Sequence, residues 1–318
     1  MTLQEQIRAN RLRSVITVTG FFVLIAIVAA AIGLVLDLYI GGFALAGALL
    51  YAAFALWRSR SLVAGMTGAR RLDPGELRPL HRVVENVAIG AGLVGTPDVY
   101  LIEDPAPNAF ASGLRPEKSF VGVTTGLLQT MPKRELEAVI AHEMAHVRNR
   151  DTYLMTMAAI FVGVIAFLAD LGFRALVYGG GRRGRGGVIA IVLAVVGLLL
   201  APYAAFLLRL ALSRRREYLA DATGAEIIND PEAMALALRR LETDATTVRH
   251  AEASVAHLWI ESPTDRLDTN RRGQLALASW FNTHPPLPSR IAALEQSGGF
   301  VLPDRLPGDE PFGAQLGV

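Results

Sequence analysis

The sequence predicts a mainly α membrane protein, in which a four-helix membrane part is joined to an α+β domain with a small β-sheet. Of the 318 residues, 52% are hydrophobic and the mean hydropathy is positive, a balance that soluble domains seldom reach. Four long apolar runs interrupt the polar sequence, and the second pair divides it into two parts. We therefore expect the α+β domain to be split by the second helical hairpin.

Six segments are expected in chain order. They are a cytoplasmic N-terminus (1–14), a transmembrane hairpin (15–57), the first part of the α+β domain (65–151), a second membrane hairpin (152–211), the second part of the domain (213–299) and an irregular C-terminal tail (300–318).

The first hairpin combines two apolar runs, Val15 to Leu36 and Leu38 to Trp57. As a helix, each run is long enough to cross about 30 Å of hydrocarbon. A cleavable signal peptide is the alternative interpretation of the first run, but no clear small-x-small cleavage site follows and the second run begins at once. Arginines flank the pair on both sides, so the positive-inside rule places both flanks in the cytoplasm.

The second hairpin consists of the runs Thr152 to Ala169 and Gly186 to Leu208. Its arginine-rich link conflicts with the positive-inside rule, so the pair either spans the bilayer or is partly re-entrant. In both cases a hairpin returns the chain to the side that it left. Residues 65–150 and 213–318 are therefore expected in one compartment.

The first polar part is predicted as helix, strand, loop, strand and helix. The strands are DVYLI and SFVGVTT, and the stretch EDPAPNAFASGLRPEK between them is rich in Pro, Gly and Asn and is predicted as a loop. The preceding helix lies in ELRPLHRVVENVAIGAGL, and the last helix begins near Pro132.

The second polar part is predicted to contain two helices, one at SRRREYLADATGAEII and one at DPEAMALALRRLE. Asp230 is the expected N-cap of the second. The stretch from Thr243 to Ser279 is poorly patterned and is expected to be rich in loops.

The pentapeptide HEMAH carries the candidates for a metal site. His142 and His146 are spaced i, i+4, so on a helix their rings lie on one face and can converge on one zinc ion. Glu143 can approach the open coordination position as a general base. The alternative is a helix with two surface histidines.

A hydrolytic zinc requires a third protein ligand and an open position. Glu217 and Asp221 are again i, i+4 on a predicted helix. Glu217 can complete a His, His, Glu set, and Asp221 can accept the other N–H of a ligating histidine and fix its tautomer. A salt-bridged helix face is the alternative, but the HEMAH motif and the shared compartment favour the metal site. The chain has no cysteine, which excludes thiolate ligands.

These motifs resemble those of the HtpX-type membrane zinc endopeptidases, which are relatives of the CAAX prenyl proteases. The resemblance rests on HEMAHVRNRD, the apolar pair and SRRREYLADATGAE, together with PNAFASG, FVGVTTGLL and THPPLPSRIAAL. It extends from Pro97 to Leu294 and implies a zincin-like α+β domain with one Zn²⁺ per subunit. In this chain it implies metal ligands at His142, His146 and Glu217, and Glu143 as the catalytic base.

The resemblance also implies further site residues. Asp221 falls on an aspartate that supports the ligands, and His284 on a hydrogen-bond donor to the developing oxyanion, although a structural role in its His-Pro-Pro turn is the alternative. Asn108, Ser112 and Gly113 fall in the segment that holds the substrate backbone. SFVGVTT is expected to present a free sheet edge along which an extended substrate lies.

The function that the resemblance implies is quality control of membrane or misfolded proteins and stress response, by a multi-pass protein of the bacterial inner membrane whose site faces the cytoplasm. The expected partners are protein or peptide substrates and the lipid bilayer. The formal charge of +2 is too small to suggest nucleic acid, and the sequence makes no prediction of oligomeric state. A catalytically silent zinc-binding scaffold and a dedicated CAAX-type processing protease are the alternatives.

Overall fold

The computed structural model describes residues 38–161, 214–244, 258–260, 285–303 and 306–317, with Thr246, Val248 and isolated positions between residues 19 and 30. The first apolar run lies largely outside these residues, and the fourth lies wholly outside them. The second run forms the helix α1 (Leu38–Trp57), with the expected bounds. No helix in the described part of the chain has both the length and the apolar character that a membrane crossing needs. The four-helix membrane part therefore remains a prediction.

The other described elements follow in chain order. They are α2 (Ser59–Thr67), β1 (Arg70–Arg71), α3 (Arg78–Gly90), β2 (Asp98–Ile102), β3 (Ala109–Ser112), β4 (Phe120–Thr124), α4 (Thr125–Thr130), α5 (Lys133–Arg148), α6 (Arg214–Ile228), α7 (Pro231–Thr243), α8 (Leu287–Gly298) and α9 (Phe312–Leu316). Residues 151–161 are also helical.

The helices predicted from apolar spacing are present as α3, α5, α6 and α7. Pro132 is the N-cap residue of α5, with a φ of −60° that suits the entry to a helix. Asp230 caps α7 as expected, because its side chain accepts a hydrogen bond from the backbone N–H of Ala233. The tail after residue 300 was expected to be irregular, but it contains the short helix α9, whose Phe312 N–H donates to the carbonyl of Met131.

In the described part of the chain, the sheet has four strands in the order β1-β2-β4-β3. β2 and β4 run parallel, while β1 and β3 pair antiparallel with β2 and β4. Side chains alternate between two faces: Val99 and Val121 lie in a core with α3, α5 and α7, and Tyr100 and Phe120 lie in a second core with residues 155–161.

Two expectations for this sheet are wrong, and one strand explains both. The segment AFAS was predicted as loop, but it forms β3 and pairs with β4 from Ala109↔Val123 to Ser112↔Phe120. Its alanines have low β propensity, so pairing with a neighbour decides its conformation. Because β3 covers β4, the segment SFVGVTT has no free edge, and β3 is the edge strand among the strands that the structure describes.

Candidate metal centre

The HEMAH motif lies in the second half of α5, which is buried along most of its length. His142, Glu143 and His146 are 1%, 2% and 4% exposed. A helix that buries ionisable side chains to this extent must give each of them a partner, since an isolated buried charge is costly. The partners come from α6, α8 and the residues that follow α5.

Helix α6 approaches α5 closely at Gly224. A Cβ atom on Gly224 would lie 2.9 Å from the backbone nitrogen of His142 and 2.6 Å from Cε of Met234. Only glycine permits this approach without displacing a backbone, so the GAE segment of α6 sets the distance between the two helices. Glu217 and Asp221, on the same helix, are thereby brought to the histidines of α5.

His142, His146 and Glu217 form a group in which one ligand atom of each lies within 4.8 Å of the others. The two imidazole Nε2 atoms are 3.2 Å apart. Glu217 Oε2 lies 3.7 Å from His142 Nε2, and Glu217 Oε1 lies 3.6 Å from His146 Nε2. Two nitrogens bound to one tetrahedral zinc at about 2.0–2.1 Å are separated by about 3.3 Å, so the spacing of the rings fits such an ion.

Each imidazole has a buried carboxylate at its other nitrogen. His142 Nδ1 lies 2.9 Å from Asp221 Oδ1, and His146 Nδ1 lies 3.3 Å from Asp151 Oδ2. A carboxylate accepts and does not donate, so each aspartate favours a proton on Nδ1 of its ring, and Nε2 is the nitrogen that a metal would bind in place of a proton. Asp221 has the position that the sequence predicted, whereas Asp151 was not anticipated.

Arg290 of α8 is fully buried beside the first of these carboxylates. Its Nε and Nη2 atoms donate to Asp221 over 2.8 Å and 2.6 Å, and its Nη1 lies 3.5 Å from Glu217 Oε2. The same Nη1 donates to the carbonyl of Ile260 over 3.3 Å. One guanidinium therefore connects a metal-ligand candidate with the carboxylate that orients His142.

The electrostatics of the two rings differ. Burial lowers the pKa of His142 to about 4, despite the hydrogen bond to Asp221. Burial also lowers the pKa of His146, but the hydrogen bond to Asp151 and the charge of Glu217 outweigh it and raise the pKa to about 9. Burial raises the pKa of Asp221, while the charge of Arg290 and its hydrogen bonds bring it below the ordinary value, so Asp221 is ionised.

Glu143 lies beside the metal-ligand candidates and against the edge strand. Burial raises the pKa of its carboxyl group to about 7, and the nearby charge of Glu217 acts in the same direction. The backbone N–H of Ala111 lies close enough to act in the opposite direction and lower this pKa. A carboxyl group with a pKa near neutrality can both take and return a proton.

The outward edge of β3 runs past Glu143. The backbone N–H of Thr124 in β4 donates to the carbonyl of Asn108, so the N–H and C=O groups of Ala109 and Ala111 face away from the sheet. The carbonyl of Ala109 accepts from the N–H of Ile260 over 3.0 Å, and the N–H of Ala109 donates to Oδ1 of Asn108 over 3.0 Å. Asn108 therefore lies directly before the first residue of β3.

Ser112 and Gly113, the other predicted substrate residues, both contact Thr156. Ser112 Oγ lies 2.9 Å from Thr156 Oγ1, and the Gly113 N–H donates to the same oxygen over 2.9 Å. These contacts connect the end of β3 to the helix that follows α5. His284 lies outside the described residues.

Among the residues that the structure describes, sequence reasoning missed four that lie at the centre: Asp151, Arg216, Gly224 and Arg290. Gly224 could have been recognised from the sequence, since a glycine inside a predicted helix lowers helix stability and often indicates close packing against a neighbour. Arg290 is near Asp221 only in three dimensions, so no local pattern indicates it. Asp151 follows HEMAH by five positions, a spacing at which side chains of one helix do not meet.

Comparison with known proteins gives matches over most of the chain. Residues 74–297 match the family described as Peptidase family M48. A protein described as Protease HtpX homolog from Listeria monocytogenes is 39% identical over 309 residues, which cover 92% of this chain and 99% of that protein.

A relative from a second organism and one solved structure also match. A Protease HtpX homolog from Caldanaerobacter subterraneus is 41% identical over 252 residues, covering 77% of this chain and 81% of that one. Among solved structures, a crystal structure of S. mikatae Ste24p matches with a TM-score of 0.46 and 18% identity, covering 92% of this chain and 66% of that chain.

Proposed function

The chain belongs to peptidase family M48 and is a metalloprotease, and from this premise we propose that His142, His146 and Glu217 hold a zinc ion at which peptide bonds are hydrolysed. The observation that supports the assignment is the buried group of two imidazoles and one carboxylate, whose ligand atoms lie within 4.8 Å of one another. Nitrogen and oxygen ligands of this number are those of a hydrolytic zinc site with an open position.

We assign general acid–base catalysis to Glu143. A bound zinc ion would lower the pKa of a water molecule and polarise the substrate carbonyl. The Glu143 carboxylate takes a proton as the water oxygen bonds to the carbonyl carbon. It then delivers this proton to the amide nitrogen as the C–N bond breaks, so the peptide is hydrolysed and Glu143 is regenerated.

For the substrate, we propose an extended peptide along the outward edge of β3. The evidence is the position of Ala111, whose N–H faces away from the sheet beside Glu143. A peptide that pairs there places a backbone carbonyl near the catalytic base, and main-chain pairing tolerates many sequences. The carbonyl of Ala109 is already bonded to Ile260. Asn108 is the proposed side-chain contact to the substrate backbone, and His284 the proposed donor to the oxyanion.

We further propose that the enzyme resides in a bacterial inner membrane, with its site on the cytoplasmic side, and degrades membrane or misfolded proteins in quality control. The four apolar runs of the sequence support the membrane assignment, as does the exposed apolar surface of α1. That surface includes Leu38, Tyr39, Phe43, Leu50 and Trp57.

The catalytic assignment is tested with β-casein and full-length protein purified in detergent. We expect cleavage that a chelator abolishes and that stoichiometric zinc restores, with about one zinc per chain. Protein that binds zinc but leaves casein and its peptides intact would instead support a zinc-binding scaffold.

Sidedness can be tested in a chain without cysteine. Lys118 and Glu226 are exposed and lie in the two parts of the domain. Single substitutions Lys118→Cys and Glu226→Cys should both resist a membrane-impermeant maleimide in intact cells and react after lysis. Labelling of either residue in intact cells contradicts a shared cytoplasmic location.

A further inference from the structure

Asp151 is a buried carboxylate that lies between His146 and an arginine. It is 1% exposed, with Oδ2 at 3.3 Å from His146 Nδ1 and Oδ1 at 3.5 Å from Nη1 of Arg216. Arg216 is itself buried and directly precedes Glu217 in α6. The Asp151–Arg216 pair therefore joins the end of the first part of the domain to the beginning of the second, at the metal centre.

A break in the helix makes the contact with His146 possible. In an uninterrupted helix, a residue five positions further on is rotated by about 140° from the face of the first. Asn149 and Arg150 interrupt the helix before Asp151, and Arg150 has a φ of 61°. A positive φ at a residue other than glycine is unfavourable and persists where surrounding contacts require it. The turn directs Asp151 back toward His146.

The arrangement around His146 matches that around His142. Each ring faces a buried aspartate at Nδ1, and each aspartate faces a buried arginine, with Asp221 and Arg290 serving His142. The two pairs differ in origin, because Arg290 comes from α8 whereas Arg216 comes from the helix that carries the third ligand candidate. The Asp151–Arg216 pair connects His146 to the residue that directly precedes Glu217.

Resting on the proposed zinc site, we propose that Asp151 and Arg216 are positioning residues that assemble it across the second apolar hairpin. Asp151 holds the His146 ring in the Nδ1–H tautomer and aims Nε2 at the metal position. Arg216 pairs with the buried carboxylate of Asp151 and so holds the first turn of α6, which also contains Glu217. A buried ion pair contributes little net stability but is strongly disruptive when one partner is removed, as expected of a device that specifies geometry.

The test is zinc affinity, measured by competition with a chromophoric chelator on the full-length chain in detergent. Asp151→Asn should weaken zinc binding by about 10-fold to 100-fold, the usual effect of removing a carboxylate behind a ligating histidine. Asp104→Asn is the matched control, because Asp104 is equally buried but accepts the N–H of Ala106 instead of a metal-ligand candidate. The control should bind zinc as tightly as the wild type does.

A second variant keeps the proposal open to contradiction if Asp151→Asn does not fold. Arg216→Gln should weaken zinc binding, and the combined variant should lose less affinity than the sum of the two single losses in free energy, because both act through one contact. A zinc dissociation constant unchanged in folded Asp151→Asn, or in Arg216→Gln, overturns the positioning role. Absence of zinc from the wild type would instead overturn the proposed function.

Discussion

Glu217 Oε1 lies 3.6 Å from Nε2 of His146, although two apolar runs separate these residues in the sequence. Neither residue belongs to a local motif that includes the other, so the contact is a property of the fold. The contact depends on the close packing of α6 against α5. The distance between the buried carboxylate and the imidazole is longer than a hydrogen bond. That spacing fits the zinc ion proposed for this site.

The carboxyl group of Glu143 is predicted to be essential for cleavage and dispensable for metal binding. Glu143→Gln removes the proton acceptor but keeps the size of the side chain, so cleavage of β-casein should fall at least about 100-fold, in the range of general-base catalysis. The zinc content should remain that of the wild type. Glu137→Gln, a half-buried position on the same helix, is the control and should stay active. Full activity of Glu143→Gln would end the assignment.

Gly224 is predicted to set the separation of the two helices that carry the ligands. A methyl group in Gly224→Ala meets the backbone at His142, so α6 must move and zinc binding should weaken at least about tenfold. Gly65→Ala is the matched control, since a Cβ at this helical glycine has no atom within 4 Å. It should leave zinc binding unchanged and stabilise the fold by up to about 1 kcal/mol. Equal zinc affinity in the two variants contradicts the prediction.

Arg290 is predicted to be required for stability because it neutralises a buried carboxylate. Arg290→Gln leaves Asp221 without its charge partner and should lower the free energy of unfolding by about 3–5 kcal/mol. Arg134 also forms paired hydrogen bonds with an aspartate, Asp230, but its side chain is 50% exposed. Arg134→Gln should therefore cost no more than about 1 kcal/mol. Denaturant unfolding of both variants measures the difference, and equal losses would refute it.

The backbone N–H of Ala111 is predicted to bind substrate. Proline is tolerated on the outward side of an edge strand, so Ala111→Pro should fold while losing this donor. We expect KM for a casein-derived peptide to rise about fivefold, the effect of one hydrogen bond of about 1 kcal/mol. Ala111→Gly retains the N–H and is the control. If both variants show the same KM as the wild type, the substrate does not pair with this strand at Ala111.

The sequence predicts those site residues whose pattern lies within a single helix. His142, Glu143 and His146 could be recognised because their spacing within one helix is sufficient to define a metal-binding face. Glu217 and Asp221 could be proposed because they repeat that spacing. The strand β3 was missed because AFAS has weak β propensity and lies between Pro- and Gly-rich segments, so only its pairing with β4 reveals it.

The supporting residues could not be found in this way. Arg290 contacts Asp221 because α8 packs beside α6. The two residues are 69 positions apart in the sequence, so no helical or strand periodicity relates them. Asp151 reaches His146 through the positive φ of Arg150, a backbone feature that no composition rule predicts at an arginine. These contacts depend on tertiary packing, which a local pattern does not record.

The measurement that tests the central claim most directly is the zinc content of Glu217→Ala. The account predicts about one zinc per chain in the wild type, and loss of zinc affinity and cleavage in Glu217→Ala, because two imidazoles alone hold the ion weakly. Glu226→Ala, an exposed position on the same helix, should match the wild type. A Glu217→Ala variant that binds zinc as tightly as the wild type and still cleaves casein would contradict the claim that the two parts of the chain meet at one metal.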